Sequence, residues 1–529
     1  MMGGPTKKIP PRVHILALAA WSVAACCLLP LAYLLLRTVQ LGPEITRILG
    51  RPRTWQVAAN SVGLTLAVTT SSVLLGTGLA WWTTRTDLPG RRFWSAVTCL
   101  PLVLPSYVGA FALIAALGPN GMLQTLLAPL GVVRLPSIYG FPGAWLALTL
   151  FTYPYVQLSV RTGLRGLDPA QEEIARSLGL SPTAILRRVV LPQLRPAIAA
   201  GALLVALYTL SDFGAVALLQ FNAFTREIYV QYTAALDRSA AAVLGLMLVA
   251  LTLVVLRLEY RWRGRGLHYR QGMGTIRQAT RTTLGVWRWP VLAVCTLVTL
   301  LALGVPLIVI GYWLFQTTAP AAIWWEAGSH ALNSLSAAGL AAVAAILAAL
   351  PIVIYHVRHP GAGSRWAERC AYLGHALPGI VVALSLVFLG ARHWPRLYQT
   401  WTLLILAYVI LFLPLALGTL RTSLLTISPR LEEAAATLGY GSRRILRHVI
   451  LPLLRPGIWL GAALVFLTVM KELPATLLLG PTGFHTLATR IWGATEEALF
   501  ARAAPSALLL MVVSACSLWI ILQYEETTT

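Results

Sequence analysis

The chain has 529 residues, 57% of them hydrophobic and only 11% charged, with a mean hydropathy of +0.73. Soluble domains carry about 25% charged residues, so a soluble fold is excluded and the sequence reads as an all-α polytopic membrane protein. Its 41 Lys and Arg against 18 Asp and Glu give a formal net charge of +23, which fits either nucleic-acid binding or the basic inner face of a membrane protein until the charges are placed along the chain.

Lys7, Lys8 and Arg12 precede an apolar run from Val13 to Leu36. That run exceeds the core of a cleavable signal, about 7–15 residues, and is expected to remain as the first transmembrane helix. At about 20 apolar residues per crossing, further spans are expected near Thr70, Pro105, Thr152, Leu207, Leu248, Leu301, Val343, Ala383, Leu411, Val465 and Val512, about 12 transmembrane helices with the first near Cys26. An even count behind a basic start puts both termini in the cytoplasm. This layout places 29 basic residues in inner segments and 11 in outer ones, the asymmetry that sets orientation in a bilayer. The charge surplus therefore records topology, and no nucleic-acid partner is expected.

The chain is internally repeated. Residues 171–220 align with 431–480 at a constant offset of 260 with 23 identities in 50 positions. Upstream, Asn60-Ser61 and Pro105 align with Asn333-Ser334 and Pro378 at an offset of 273, which places 13 additional residues of the first half in the outer loop from Gly118 to Gly140. Six spans per copy keep both copies in one orientation, a parallel repeat. The expected organisation is a first six-helix module over 1–257, a basic cytoplasmic linker over 258–288 and a second six-helix module over 289–529.

The best-matched stretch is an inner loop between the fourth and fifth spans of each half, Asp168–Ile198 and Ser428–Ile458. Each begins with an N-cap before a proline, Asp168-Pro169 and Ser428-Pro429, and runs a short helix to a glycine suited to a left-handed cap, Gly179 or Gly439. A second short amphipathic helix is expected from about Ser181 and Ser442, stopping at Leu191-Pro192 and Leu451-Pro452. Each copy is tethered close to a span at both ends, which leaves no room to enter a DNA groove. Packing at the lipid interface would explain the amphipathic pattern, but not the register of Glu173/Glu433, Ala175/Ala435 and Gly179/Gly439 in two copies; docking to a partner would.

These residues resemble the EAA loop of the permease subunits of binding-protein-dependent ABC importers, a type I importer permease fold. The resemblance implies that the loops couple to ATPase subunits, with Glu172, Glu173, Ala175, Gly179, Leu191 and Pro192 in the first copy and Glu432, Glu433, Ala435, Gly439, Leu451 and Pro452 in the second. Glu173 and Glu433 are the implied charged contacts, the alanines the close-packing positions and the glycines the turns. Ile174 stands where that family usually has alanine. Stretches such as Leu104–Gly121, Leu210–Tyr229, Leu377–Gly390 and Lys471–Trp492 resemble the fused permeases of ferric-iron importers. Thiamine, polyamine, sulfate and molybdate permeases share that architecture. The implied partners are two ABC ATPase subunits, a substrate-binding protein and the lipid bilayer, with one fused chain supplying the whole transmembrane part in the bacterial inner membrane.

Within the membrane, Asp212 and Glu472 are repeat-related carboxylates, each one helical turn after Tyr208 or Thr468. Asp212 lies 15 residues past Ala197, about 22 Å along a helix and so in the outer half of the bilayer. Ionisable groups at that depth usually face a bundle interior or an aqueous path, so Tyr208, Asp212, Thr468 and Glu472 are candidates to line a translocation path; an ion pair or a headgroup contact is the structural alternative. Only three lysines occur, Lys7, Lys8 and Lys471, and none completes a phosphate-binding P-loop. ATP and Mg are thus expected on a partner, with no cofactor in this chain. The six cysteines form no CxxC, the histidines no metal-ligand spacing, and His356 and His359 are expected to be solvated beside an inner loop. No nucleophile–base–acid constellation is readable, so a transport subunit rather than an enzyme is expected. The rival of another class is an ion-driven secondary transporter, which is also commonly two six-helix halves.

Overall fold

The computed structural model describes residues 11–119, 121–132, 134–262, 282–316 and 320–528. Most of the expected linker, and Lys7 and Lys8, lie outside the described residues. Among the described residues the regular structure is helical apart from one isolated parallel bridge between Thr86 and Thr282.

Ten helices are long and apolar enough to cross a membrane among the described residues, and an eleventh crossing is a bent pair, Ala362–Gly374 with Gly379–His393, turned by 99°. The span expected near Thr152 is a 26-residue helix, Phe141–Gly166, too polar to count by hydropathy. The reason is its packed face. Thr152 pairs with Ser72 at 3.1 Å, while Tyr153 Oη donates to the Thr98 carbonyl at 2.6 Å and Gln157 Nε2 to Thr98 Oγ1 at 2.7 Å. All three side chains are fully buried, so their polarity is spent against neighbouring helices and not against lipid.

The chain forms two compact units, one comprising Met1–Gly42, Pro320–Arg490 and Leu508–Thr529, the other Pro43–Ala319 and Ile491–Ala507. In the second unit the helices Pro52–Arg85, Phe141–Gly166 and Leu191–Ser211 (spans two, four and five) pack on one another. A Cβ on Gly201 would stand 2.7 Å from Val156 Cα, so spans four and five touch backbone to backbone, as small residues permit. The seventh span, Arg288–Thr299 continuing to Val305–Phe315, adds Val291, Cys295 and Val298 to a core with Leu79, Leu88 and Tyr153.

The first unit repeats the triad with spans eight, ten and eleven, Pro320–Arg358, Trp401–Thr426 and Leu451–Met470. Gly461 takes the place of Gly201, where a Cβ would meet Thr419 Oγ1 at 2.5 Å. The first span, Pro11–Val39, packs here, on span eight and on both halves of the bent pair. Each module's first span thus belongs to the compact unit built on the other module's later spans.

Candidate functional site: coupling loops and buried carboxylates

Both repeated loops are built from the same local rules. The first helix of each runs Pro169–Ser177 or Pro429–Thr437. Its N-cap is Asp168, accepting from Ala170 N at 3.1 Å, or Ser428, accepting from Arg430 N at 3.4 Å. It ends at a glycine with φ +79° at Gly179 and +83° at Gly439. The following amide reaches back to close the turn, Leu180 N to Ala175 O at 3.2 Å and Tyr440 N to Ala435 O at 3.1 Å, the double-bonded glycine cap that L residues disfavour. Ala175 and Ala435 are buried, whereas Glu173 and Glu433 point into solvent. The same loops also expose apolar side chains, Ile174 and Leu178 in one and Leu431, Leu438 and Tyr440 in the other. An exposed charge together with exposed apolar side chains is what a docking helix presents to a groove.

The second helix corrects one expectation. It does not stop at Leu191-Pro192 or Leu451-Pro452 but continues as the fifth or eleventh span. A single wide π-type turn, Leu186–Val190 or Leu446–Ile450, precedes each Leu-Pro pair. The wider turn lets the α-helical ladder restart at the leucine, so the proline falls in a first turn whose amides need no intrahelical acceptor. The membrane-surface helix and the span are therefore one continuous rod in both modules.

Asp212 ends the fifth span and caps the turn that follows it. Its Oδ1 accepts from Ala215 N at 3.0 Å and Val216 N at 3.4 Å, its Oδ2 accepts from Ser106 Oγ, and Thr225 Oγ1 donates to its carbonyl at 2.6 Å. Glu472 does the same work: Oε1 accepts from Ala475 N at 3.1 Å, and Thr476 Oγ1 donates to its carbonyl at 2.9 Å. The position of Ser106 is held in the second module by Gly379, where a Cβ would lie 3.0 Å from Glu472 Oε1. Aspartate with serine and glutamate with glycine thus fill equal space. Tyr208 hydrogen-bonds Ser106 and so joins the Asp212 cluster. Thr468 instead donates back along its own helix to Leu464 O at 2.7 Å, so the structure joins one of the two expected pairs more closely than the other.

Sequence reasoning missed several residues. Arg85 and Arg358, the last residues of spans two and eight, lie 3.2 Å from Glu172 and 2.7 Å from Glu432. The carboxylates flanking Glu173 and Glu433 therefore face the permease itself. His356 is not solvated as expected: it stands 3.2 Å from Glu368, which also accepts from Arg421 at 3.0 Å. The Asn-Ser pairs noted only as repeat landmarks hold turns at the ends of spans two and eight remote from Arg85 and Arg358. Asn60 Nδ2 donates to Asn222 O at 3.0 Å and Ser61 Oγ accepts from Phe224 N at 2.9 Å; Asn333 donates to His485 O and Ser334 accepts from Leu487 N at 2.9 and 2.8 Å. The shared offset of these pairs was the available signal, but it carries no information about what they touch.

Two span triads, each carrying a copy of the same repeated loop, define a multi-pass transport permease. Residues 72–262 and again 341–525 match the binding-protein-dependent transport system inner membrane component family, and the chain belongs to that family. Membership implies an ATPase and a substrate-binding protein as partners. The chain is 34% identical to the Fe(3+)-transport system permease protein FbpB 2 of Haemophilus influenzae, over 94% of this chain and 95% of that one. It is 25% identical to the ferric transport system permease protein FbpB of Actinobacillus pleuropneumoniae, over 89% of this chain and 71% of that one. The sulfate transport system permease protein CysT of Salmonella typhimurium is 32% identical over 38% of this chain and 72% of its own length.

Proposed function

We propose that this chain is the complete transmembrane part of an ATP-driven importer of ferric iron, with modules 1–257 and 289–529 joined by the linker 258–288. Two ATPase subunits dock on the two coupling loops from the cytoplasm, where both termini also lie, and one binding protein delivers iron at the outer face of the bacterial inner membrane. ATP and Mg are held by the ATPase chains; this chain carries no cofactor of its own. The observation that carries the reading is the same loop built twice: a capped helix, a left-handed glycine, an exposed glutamate and exposed apolar side chains in the same loop. The choice of iron rests on relatives matched over nearly the full fused length. A sulfate permease matches over a single module's length, which keeps an oxyanion as the second reading.

Asp212 and Glu472, with Tyr208 and Thr468, border the translocation path in this reading, and their first task is to hold the turns that shape it. A conduit benefits from carboxylates already engaged by backbone amides, since free hard-oxygen ligands would bind Fe³⁺ tightly and slow release.

Uptake of radiolabelled Fe³⁺, sulfate, thiamine and putrescine in cells with and without the chain tests the substrate. Loss of iron uptake alone is expected; loss of sulfate uptake with iron uptake intact would transfer the assignment. Glu173→Lys with Glu433→Lys tests the engine. Uptake and co-purification of the ATPase should both disappear while the permease still reaches the membrane, an outcome that an ion-driven transporter would not give.

A further inference from the structure

Arg85 and Arg358 occupy the same place in separate units and make the same two contacts. Arg85 Nη2 donates to the Leu164 carbonyl at the inner end of span four, 3.0 Å away, and faces Glu172 of the coupling helix. Arg358 Nη2 donates to the carbonyl of Ile427, just past span ten, at 3.1 Å, and faces Glu432. Arg85 is buried and Arg358 nearly so, with side chains 6% and 12% exposed. One planar cation therefore ties three segments together: the end of a long span, the end of its neighbour and the coupling helix. In each case a single terminal nitrogen, Nη2, makes both contacts.

The same two spans are engaged at their far ends. Asn60-Ser61 lies 25 residues before Arg85, and Asn333-Ser334 starts 25 residues before Arg358, about 37 Å away along a helix. Spans two and eight are unbroken over those stretches, Pro52–Arg85 and Pro320–Arg358. Their outer pairs hold the backbone of Asn222 and Phe224, or of His485 and Leu487. In the first module that turn is bonded onward, through Thr225, to Asp212.

We propose that spans two and eight are push-rods: Arg85 and Arg358 take up the displacement of the coupling helices through Glu172 and Glu432, and the Asn-Ser pairs deliver it to the outer turns beside Asp212 and Glu472. Arg85, Arg358, Asn60 and Asn333 are then positioning residues, acting through other groups and touching neither ATP nor substrate. This rests on the reading of the loops as ATPase-docking elements. A physical link of this kind consists of a rigid element biased from both ends, and it is recognised by non-additive loss.

The test uses the full chain with its ATPase and binding protein in proteoliposomes. Arg85→Met with Arg358→Met removes the cation and its donors from the inner joint at similar volume, and Asn60→Ala with Asn333→Ala breaks the outer one. Each set should leave ATPase co-purification within twofold of normal while binding-protein-stimulated ATP hydrolysis and uptake fall at least tenfold. The four substitutions together should lose no more than the worse pair. Stimulation retained within twofold in either set, losses that multiply when combined, or loss of ATPase co-purification in the arginine set would overturn the proposal. Glu173→Lys with Glu433→Lys separates the two ideas: if the ATPase still co-purifies there, it is the docking reading that fails.

Discussion

The two modules solve the same problems with different residues, and the contrast separates what the repeat needs from what one copy happens to use. At the loop-bearing end of the spans both keep the arginine joint, but the segment after it differs. Asp87 N donates to Thr282 O at 3.3 Å, Thr282 N to Arg85 O at 2.8 Å, and Leu284 N to Asp87 Oδ1 at 2.8 Å, so the end of the linker is clipped beside the first coupling loop. The position of Asp87 is held in the second module by Pro360, which has neither the amide nor the carboxylate. At the opposite end both modules keep an ion pair, with its polarity reversed. Arg53 on span two meets Glu227 at 3.0 Å, while Glu326 on span eight meets Arg490 at 2.8 Å. What both copies share is the cap, the glycine, the joint and the Asn-Ser hold. Charge sign and linker contact are free to vary.

The largest expected effect probes the shared part. Gly179→Val or Gly439→Val places a β-branched residue at positive φ, at a local cost of about 1–2 kcal/mol, with no neighbouring atoms to relieve or worsen it. If each loop docks its own ATPase subunit, as proposed, either substitution alone should lower iron uptake at least tenfold with normal membrane abundance. Uptake unchanged by one of them would show that the two loops are unequal despite their common geometry.

Next comes the reversed ion pair. Glu227 is 2% exposed, so Glu227→Arg sets two cations together with one of them buried, and should destabilise the outer turn by about 3 kcal/mol. Arg53→Glu made in the same chain installs the polarity of the second module and should restore most of that loss in thermal unfolding of the purified protein. Failure to recover would mean that the sign is fixed by surroundings other than its partner.

Much of this was legible from the residues. Caps, the left-handed glycines and the apolar runs are local, and each announces itself within one or two helical turns. The fourth span was legible as a long, mostly apolar run, although its mean hydropathy is lowered by Thr152 and Gln157, which face other helices. Arg85 with Glu172, and Asn60 with Asn222, were illegible for a different reason: their partners are far apart in the chain, and periodicity carries no information about which remote segment a side chain meets. The π-turns escaped as well, since a Leu-Pro pair reads as a stop unless the backbone register ahead of it is known.

A smaller effect should come from exchanging the carboxylate pockets. Asp212→Glu alone adds a methylene where Ser106 Oγ already sits, an overpacking worth about 1–3 kcal/mol. With Ser106→Gly the site becomes that of Glu472 and Gly379, and thermal stability should return to within about 1 kcal/mol of the original. Iron uptake by the double variant then reports whether the path needs a carboxylate at this depth or an aspartate in particular.

The smallest effect concerns the linker clip. Asp87→Pro installs the second module's residue and removes both hydrogen bonds that Asp87 makes, at about 1–2 kcal/mol for a partly solvated pair of contacts. Amide exchange at Thr282 and Leu284 should accelerate about tenfold, while Pro360→Asp, which has no linker strand to meet, should leave exchange and uptake unaltered. If Asp87→Pro also lowers binding-protein-stimulated ATP hydrolysis, the clip bears on the Arg85 joint two residues away and the first coupling loop is the more constrained of the two. If only exchange changes, the linker is a tether, and the asymmetry between the modules stops at the membrane surface.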